Sequence, residues 1–311
     1  MLSMARTYRI GTRGSKLAMR QAEIVAETLQ AKFPDFSYEL IVIKTTGDKF
    51  MGDLSKVGGK GAFVKEIEDA MLKNEIDLAM HSMKDVPNEL PETLVIPCIL
   101  DREDIRDAVV CREGESFEGL PEGAIVGTSS LRRASQIRRN FPHLTIKPCR
   151  GNIHTRIDKL NNKEFDALIL AKAGLDRVGL SNKIDLVFEP DMMLPAVGQG
   201  AIGVECREDD AEALSLLSAV NSTETTACLD AEREMARLLG GNCHTPIAGY
   251  CVVTKGNNLR LIAHVTSVDG KTLVRSREKM DFENAIDLGR VVAEDLLSQG
   301  AQEIIDSIKA E

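Results

Sequence analysis

The stretch Ala124-Ile-Val-Gly-Thr-Ser-Ser-Leu-Arg-Arg133 continues through Leu144-Thr-Ile-Lys-Pro-Cys-Arg-Gly-Asn-Ile-His-Thr-Arg156 to Ala167-Leu-Ile-Leu170, and its alternation decides the fold. Ala124–Gly127, Leu144–Lys147 and Ala167–Leu170 are short apolar runs of strand length. Between them, Ser130–Asn140 and Asn152–Leu160 follow the helical period, each beginning on a capping side chain. Strand and helix in strict alternation predict an α/β sheet with parallel pairs. The same pattern lies upstream. Tyr8–Thr12 reads as a strand, and Ser15 caps a helix with Leu17, Ala18, Ala22, Val25 and Leu29 on one face, stopped before Pro34. Glu39–Lys44 alternates as a strand, a helix resumes near Phe63–Leu72, and Ile76–Met80 is a buried strand entering His81-Ser-Met-Lys-Asp-Val-Pro87. Thr45–Ala62 is glycine-rich, carries Lys49, Lys56 and Lys60, and has the length of a binding loop. Downstream, Glu189–Gly200 reads as a Pro/Gly-rich connection or hinge. From Thr223 one helix to about Leu239, three alternating runs (Ile247–Val253, Leu259–Val265, Thr272–Arg277) and a helix over Glu283–Leu297 predict a small α+β part.

Between Gly127 and Leu160 stand eight Lys or Arg and a single acid, Asp158, in a chain of net charge −9. A basic pocket in an acidic protein points to a small polyanion and away from a long nucleic acid, which selects a basic surface overall. Absent Trp and only 4% aromatic residues also weaken base stacking. With 311 residues the chain suffices for two or three domains, and 43% hydrophobic against 28% charged is ordinary globular composition. No apolar run approaches the roughly 18 residues of a membrane span. Met1-Leu-Ser-Met-Ala-Arg-Thr7 has no apolar core of a secretory signal. The seven cysteines are odd in number and scattered, with no Cys-x-x-Cys pair, so no metal site is expected and a reducing cytoplasm fits.

In parallel sheets ligands gather at the C-terminal ends of strands. Arg13, Ser15, Ser82, Lys84, Asp85, Thr128, Ser129, Arg132 and Arg150 fall there. Gly127-Thr-Ser-Ser at a helix N-terminus suits an anion, though the same residues serve equally as the cap of a solvated basic helix. Asp85, in Lys84-Asp85, reads as a general acid/base or as counter-ion to a cationic intermediate, or else as a surface ion pair or turn residue. His81 and His244 lack ligand-spaced partners and read as structural. Cys243, in a turn between Gly240-Gly241 and Pro246, is more open to reaction than a core thiol, although a cysteine considered alone is more often buried and inert.

Taken together, Gly11-Thr-Arg-Gly-Ser-Lys-Leu-Ala18, Val57-Gly-Gly-Lys-Gly-Ala-Phe-Val-Lys-Glu66, His81–Pro87, Gly127–Arg133, Arg150-Gly-Asn-Ile-His-Thr-Arg156, Ala173-Gly-Leu-Asp-Arg177, Pro195-Ala-Val-Gly-Gln-Gly-Ala201 and the Cys243 turn resemble the porphobilinogen deaminase (hydroxymethylbilane synthase) family across nearly the whole chain. The resemblance implies two α/β domains like type II periplasmic binding proteins plus a small α+β C-terminal domain. The expected boundaries are 1–100 with about 198–218, then 101–197, then 219–311. It implies a monomeric transferase that condenses four porphobilinogen molecules with loss of four ammonia, then releases a linear tetrapyrrole. It implies a dipyrromethane cofactor joined by a thioether to Cys243, no metal, and no nucleic-acid or membrane partner. By the same resemblance Asp85 is catalytic. Arg13, Ser15, Ser82, Lys84, Thr128, Ser129, Ser130, Arg132, Arg133, Arg150, Arg156, Gly174, Arg177 and Gln199 hold cofactor and substrate, and Lys56, Lys60 and Phe63 belong to a mobile loop. Asn242 stands where the family usually has Gly, and His244-Thr245 replaces the usual Gln-Val. Asn tolerates the left-handed conformation, so the turn is expected to survive. A non-enzymatic small-anion binding protein of the same two-domain fold is the alternative, since fold does not fix function; it has no use for Asp85 beside Cys243.

Overall fold

The computed structural model describes residues 6–46, 64–241 and 245–309. By packing, the chain divides into two compact units, Met1–Glu103 with Ala201–Thr226 and Asp104–Gly200 with Ala227–Glu311.

The first unit is built on β1 (Thr7–Thr12), β2 (Ser37–Val42), β3 (Leu78–Ser82), β4 (Leu94–Ile99) and β10 (Ile202–Arg207), in the order β2-β1-β3-β10-β4. β1 is parallel to β2 and β3, while β10 runs antiparallel between β3 and β4. Side chains alternate between faces, as the pleat requires. Tyr8, Ile10, Leu78, Met80 and Val204 meet Ala22, Val25 and Leu29 of α1 (Lys16–Lys32) and Leu216 of α6 (Ala211–Ser218). On the other face Ile76, Ala79 and Leu94 meet Ile67 and Met71 of α2 (Lys65–Leu72). The cap predicted for α1 is made: Ser15 Oγ accepts from Ala18 N at 3.2 Å.

The second unit repeats this plan. β5 (Asp107–Cys111), β6 (Ile125–Gly127), β7 (Thr145–Lys147), β8 (Ala167–Ala171) and β9 (Leu186–Val187) lie in the order β7-β6-β8-β5-β9, with β5 antiparallel in fourth place. α3 (Leu131–Asn140) packs Ile137 on Val109, Val126 and Ile169. α4 (Ile153–Asn161) and α5 (Lys172–Arg177) pack Ile157, Leu160 and Leu175 on Val110, Leu168 and Leu170. The unit also holds an antiparallel sheet, β11 (Ile247–Thr254), β12 (Asn258–Thr266) and β13 (Leu273–Asp281), in sequence order. Its core joins Leu261 and Val265 to Met235 of α7 (Thr223–Leu238), Leu288 and Leu296 of α8 (Ala285–Ser298) and Ile305 of α9 (Ala301–Lys309). The α/β class with a small α+β C-terminal part is therefore the fold.

Several boundaries move. β2 is Ser37–Val42 and not Glu39–Lys44, and β3 is Leu78–Ser82 and not Ile76–Met80, so His81 and Ser82 belong to the strand. The segment expected as a connection or hinge ends at Gly200, the last residue before the chain re-enters the first unit, and it is bonded inside the second unit. Gly249 N donates to Pro195 O at 2.9 Å, and Gly198 N to Glu232 Oε2 at 2.8 Å. Lys56, Lys60, Phe63, Asn242, Cys243 and His244 lie outside the described residues. Among the described residues no helix is long and apolar enough to cross a membrane.

Candidate functional site

In the first unit, Lys84 and Asp85 occupy a single 3-10 turn, Met83–Asp85, that leaves the end of β3 with both side chains exposed. The turn is anchored by buried Met83, whose N–H donates to Ala201 O at 3.1 Å. Gly203 makes room for it: a Cβ there would fall 2.2 Å from Met83 Sδ. Behind the turn, Gln21 Nε2 donates to Ser82 Oγ at 2.8 Å. Arg13, Gln21, His81, Ser82 and Asp85 share the lining of a cavity of about 40 Å³, the space of a water molecule or two. His81 Nε2 bonds Glu205 Oε2 at 2.8 Å, both groups buried on the α2 face of the sheet. Glu68 approaches from α2; burial first, then the charge of Glu205, raises its carboxyl to about 7. Glu68 Oε1 and Glu205 Oε1 are buried without a hydrogen-bond partner among the described residues.

The second unit carries the stretch that opened the sequence reading. Gly127 closes β6 so tightly that a Cβ would fall 2.7 Å from both Leu168 Cδ2 and Phe165 Cδ1. Beyond it, Thr128 Oγ1 accepts from Ser130 N at 3.2 Å, and Ser130 Oγ accepts from Arg133 N at 3.4 Å, capping α3. Ser129 Oγ donates to Cys149 O at 3.0 Å. Thr128 and Ser130 act here as acceptors, so their O–H hydrogens remain available for an anion at the first turn of α3.

Arg132 and Arg133 follow each other on α3. Both are buried, 4% and 7% exposed, against Asp107 at the start of β5, which is 0% exposed. Arg132 Nη1 donates to Asp107 Oδ2 at 2.7 Å and to Leu194 O at 2.7 Å. Arg133 Nε and Nη2 donate to Asp107 Oδ1 at 3.0 and 2.7 Å, and its Nη1 to Ile169 O at 3.0 Å. Gln199 Nε2 reaches the same Oδ1 at 3.0 Å and Ile105 O at 2.7 Å. Burial opposes ionisation of Asp107, but the two guanidiniums override it and hold the carboxyl far below the usual range. Sequence reasoning missed Asp107. Its one signal is an acid opening the apolar run Asp107-Ala-Val-Val-Cys111.

The remaining basic residues separate. Arg156 on α4 donates through Nε to Gly151 O at 2.7 Å, and Lys159 Nζ to Arg150 O at 3.3 Å, shaping the second strand-to-helix turn. Arg177 Nη2 donates to Gly200 O at 3.1 Å, and Gly174 is buried in α5. Arg138 Nη1 donates to Val268 O, and Arg139 Nη1 to Gly270 O and Lys271 O, fastening α3 to the β12–β13 turn. The open groove of about 600 Å³ they line is therefore a structural seam. A second tie joins the same elements: Gln136 Nε2 donates to Leu194 O, while Gln136 Oε1 accepts from Leu194 N at 2.7 Å and bonds His264 Nε2 at 3.2 Å. Burial, with Arg132, Arg275 and Arg139 adding, lowers the His264 ring to about 3.

Fold and site together define an α/β protein of two like sheets, one presenting an exposed Lys-Asp turn and the other a capped helix start backed by two buried arginines. The family model described as porphobilinogen deaminase, dipyromethane cofactor binding domain, matches residues 8–215, and that of the porphobilinogen deaminase C-terminal domain matches residues 226–298. The porphobilinogen deaminase of Bacillus pumilus is 47% identical over 306 residues, covering 98% of each chain. That of Syntrophobacter fumaroxidans is 48% identical over 304 residues, covering 97% of this chain and 98% of the relative. Among solved structures the methionine binding protein MetQ is similar at TM-score 0.44 and 12% identity, over 69% of this chain and 89% of that one. The chain belongs to the porphobilinogen deaminase family.

Proposed function

We propose that this chain condenses four porphobilinogen molecules head to tail with release of four ammonia, then frees the linear tetrapyrrole hydroxymethylbilane with water. It is a transferase of tetrapyrrole biosynthesis. The observation that carries the reading is the match of both family models, together spanning residues 8–298 with one short gap. The donor chemistry fits the cofactor named for the first of them. A dipyrromethane bears acetate and propionate groups, and the first turn of α3 offers hydroxyl hydrogens on Thr128 and Ser130 and a buried guanidinium on Arg132. When bound, such a group supplies a terminal pyrrole with a nucleophilic α-carbon.

In this reading Thr128, Ser129, Ser130, Arg132, Arg133, Arg150, Arg156, Gly174, Arg177 and Gln199 hold cofactor and substrate. Asp85 is the catalytic carboxylate. Loss of ammonia from porphobilinogen leaves a cation, and Asp85 stabilises it while orienting pyrrole N–H groups. Lys84, Ser82, Ser15 and Arg13 bind the carboxylates of the incoming substrate. Cys243 is the attachment point, and Lys56, Lys60 and Phe63 belong to the loop that covers the bound chain. Three domains, 1–100 with about 198–218, 101–197 and 219–311, belong to the same reading. So does a cytoplasmic monomer with no nucleic-acid partner; its support is the net charge of −9 and the absence of Trp.

Purified protein is to be weighed intact, treated with an acidic aldehyde reagent that colours dipyrromethane, and digested. The expected result is a two-ring adduct that survives reductant and denaturant, on the peptide containing Cys243, in protein that consumes porphobilinogen. A thioether does not exchange with thiols as a disulfide does. Active protein with unmodified Cys243, or an adduct on Cys206 or Cys228, overturns the assignment.

A further inference from the structure

Behind the Met83–Asp85 turn, ionisable groups from three elements meet on the α2 face of the first sheet. His81 of β3 and Glu205 of β10 are buried and bonded, Nε2 to Oε2 at 2.8 Å, and Glu68 joins them from α2. Glu68 Oε1 and Glu205 Oε1 are both enclosed without a hydrogen-bond partner among the described residues, and the two carboxyls stand in each other's field. Two like charges there are costly, whereas one proton held between the two oxygens satisfies both and leaves a single negative charge. Burial and Glu205 raise the Glu68 carboxyl to about 7, which keeps that proton in place. The other charged side chains nearby are accounted for. Asp69 adjoins Glu68 on α2, Glu66 accepts from Thr46 N, Arg9 of β1 and Arg207 of β10 both donate to Asp77, and β4 brings no charged residue. A carboxylate oxygen only accepts, so the Nε2 of His81 carries the ring proton and Nδ1 is the acceptor. Nδ1 bonds no described residue and is not among the enclosed unpartnered atoms, which leaves it open toward the water-sized cavity that His81 lines with Arg13, Ser82 and Asp85.

We propose that Glu68, Glu205 and His81 are a proton relay for the catalytic turn: the two carboxyls share one proton, and His81 Nδ1 takes up, through the cavity, the proton that Asp85 receives in each condensation. Condensation replaces a C–H bond by a C–C bond. The electron pair of the broken bond stays in the ring, and one proton must leave. It passes to the Asp85 carboxylate, then to His81 Nδ1, and from the imidazolium to bulk water or to the ammonia already released, so all groups begin the next cycle unchanged. The single negative charge of the carboxyl pair balances the imidazolium, whose Nε2–H stays on Glu205. His81 is thus a positioning residue that acts through Asp85. The relay rests on the reading of Asp85 as the catalytic carboxylate.

Two measurements on the holoenzyme need no turnover. Ring-nitrogen NMR is expected to place the proton of the neutral His81 ring on Nε2, and infrared pH-difference spectra to show a protonated carboxyl that is absent from Glu68→Gln. An Nδ1–H ring, or no such carboxyl, overturns the relay. Kinetics supply the rest. His81→Gln keeps a donor for Glu205 but accepts no proton. Its kcat, per molecule carrying the adduct by intact mass, is expected to fall about tenfold or more with KM within about threefold; an unchanged kcat overturns the relay. Glu68→Gln removes an acid that faces the imidazole and so weakens its hold on a proton. The ascending acid limb of kcat is expected to move to lower pH by about half a unit or more, a shift that a purely structural role would not produce. An unmoved limb overturns the relay. If His81→Gln does not fold, the Glu68→Gln limb and the ring NMR decide. Wild-type protein that shows both spectroscopic signatures but consumes no porphobilinogen would defeat the functional reading, whereas turnover with both signatures missing defeats the relay alone.

Discussion

The two α/β units share one strand plan but bury different acids in the same structural place. Each sheet takes its fourth strand antiparallel, and each such strand carries a fully buried carboxylate, Glu205 on β10 and Asp107 on β5. Glu205 faces α2 and bonds a neighbouring strand's imidazole, with Glu68 nearby and raised toward neutrality. Asp107 faces α3 and gathers two guanidiniums and an amide. Net charge separates the outcomes. The first unit stores acid behind an exposed Lys-Asp turn, while the second stores surplus positive charge at the start of α3. On the reading proposed above, the first unit is the one that stabilises a cation and the second the one that holds carboxylates.

The sharpest way to break this comparison is Asp85→Asn. It is expected to lower kcat by about 10²–10³ with KM within about threefold, whereas Arg156→Leu should act mainly on KM or on the distribution of enzyme-bound intermediates. Steady-state kinetics and native mass spectrometry check both, and near-normal turnover by Asp85→Asn would remove chemistry from the first unit. Next in size are the buried acids. Asp107→Ala leaves two guanidiniums without their carboxylate and should cost about 3–5 kcal/mol; Glu205→Ala strands one imidazole nitrogen and should cost about 1–3 kcal/mol. Equal shifts in urea melts would erase the contrast.

Two pH effects of opposite sign are smaller. The folded His264 ring sits near 3, below its ordinary value of 6.5, so the unfolded chain takes the proton first. Stability is complete above pH 6.5 and falls toward pH 3 by at most about 1.4 kcal/mol per unit, a slope that His264→Gln should flatten. Glu68 is the reverse. Its folded carboxyl keeps the proton to about 7 against 4.5 ordinarily, so its contribution is full below 4.5 and is lost as pH rises through 7. Thermal melts of Glu68→Gln between pH 5 and 8 should show a weaker decline than wild type; parallel curves would mean that the Glu68 carboxyl is not raised on folding.

The parallel strands and their capped helices were legible because period, Ser15, Ser130 and Asn152 all act within a few residues of chain. β5, β10 and β4 were not read, because an apolar run of strand length announces neither its direction nor its neighbours. Asp107 illustrates the limit: beside Arg106 in sequence it looks like one more surface acid, and only long-range packing brings Arg132, Arg133 and Gln199 onto it. The basic stretch shows the converse. Its charge was evident, but Arg138 and Arg139 bind backbone carbonyls of the β12–β13 turn, and local sequence does not distinguish them from their neighbours on α3.

β10 also has a consequence for biosynthesis. It pairs with β3 and β4, yet it begins at Ile202, after the whole strand-helix array of the second unit has been made. At about 5–20 residues per second, roughly 100 residues of translation separate β4 from its partner, an interval on the order of 5–20 s. Until then the facing edges of β3 and β4 lack the strand that joins them, and unpaired edges invite association between chains. The first unit to emerge from the ribosome thus completes its sheet only after every strand of the second unit's five-stranded sheet has been made. A nascent chain stalled just before Ile202 should therefore be the species most dependent on chaperones.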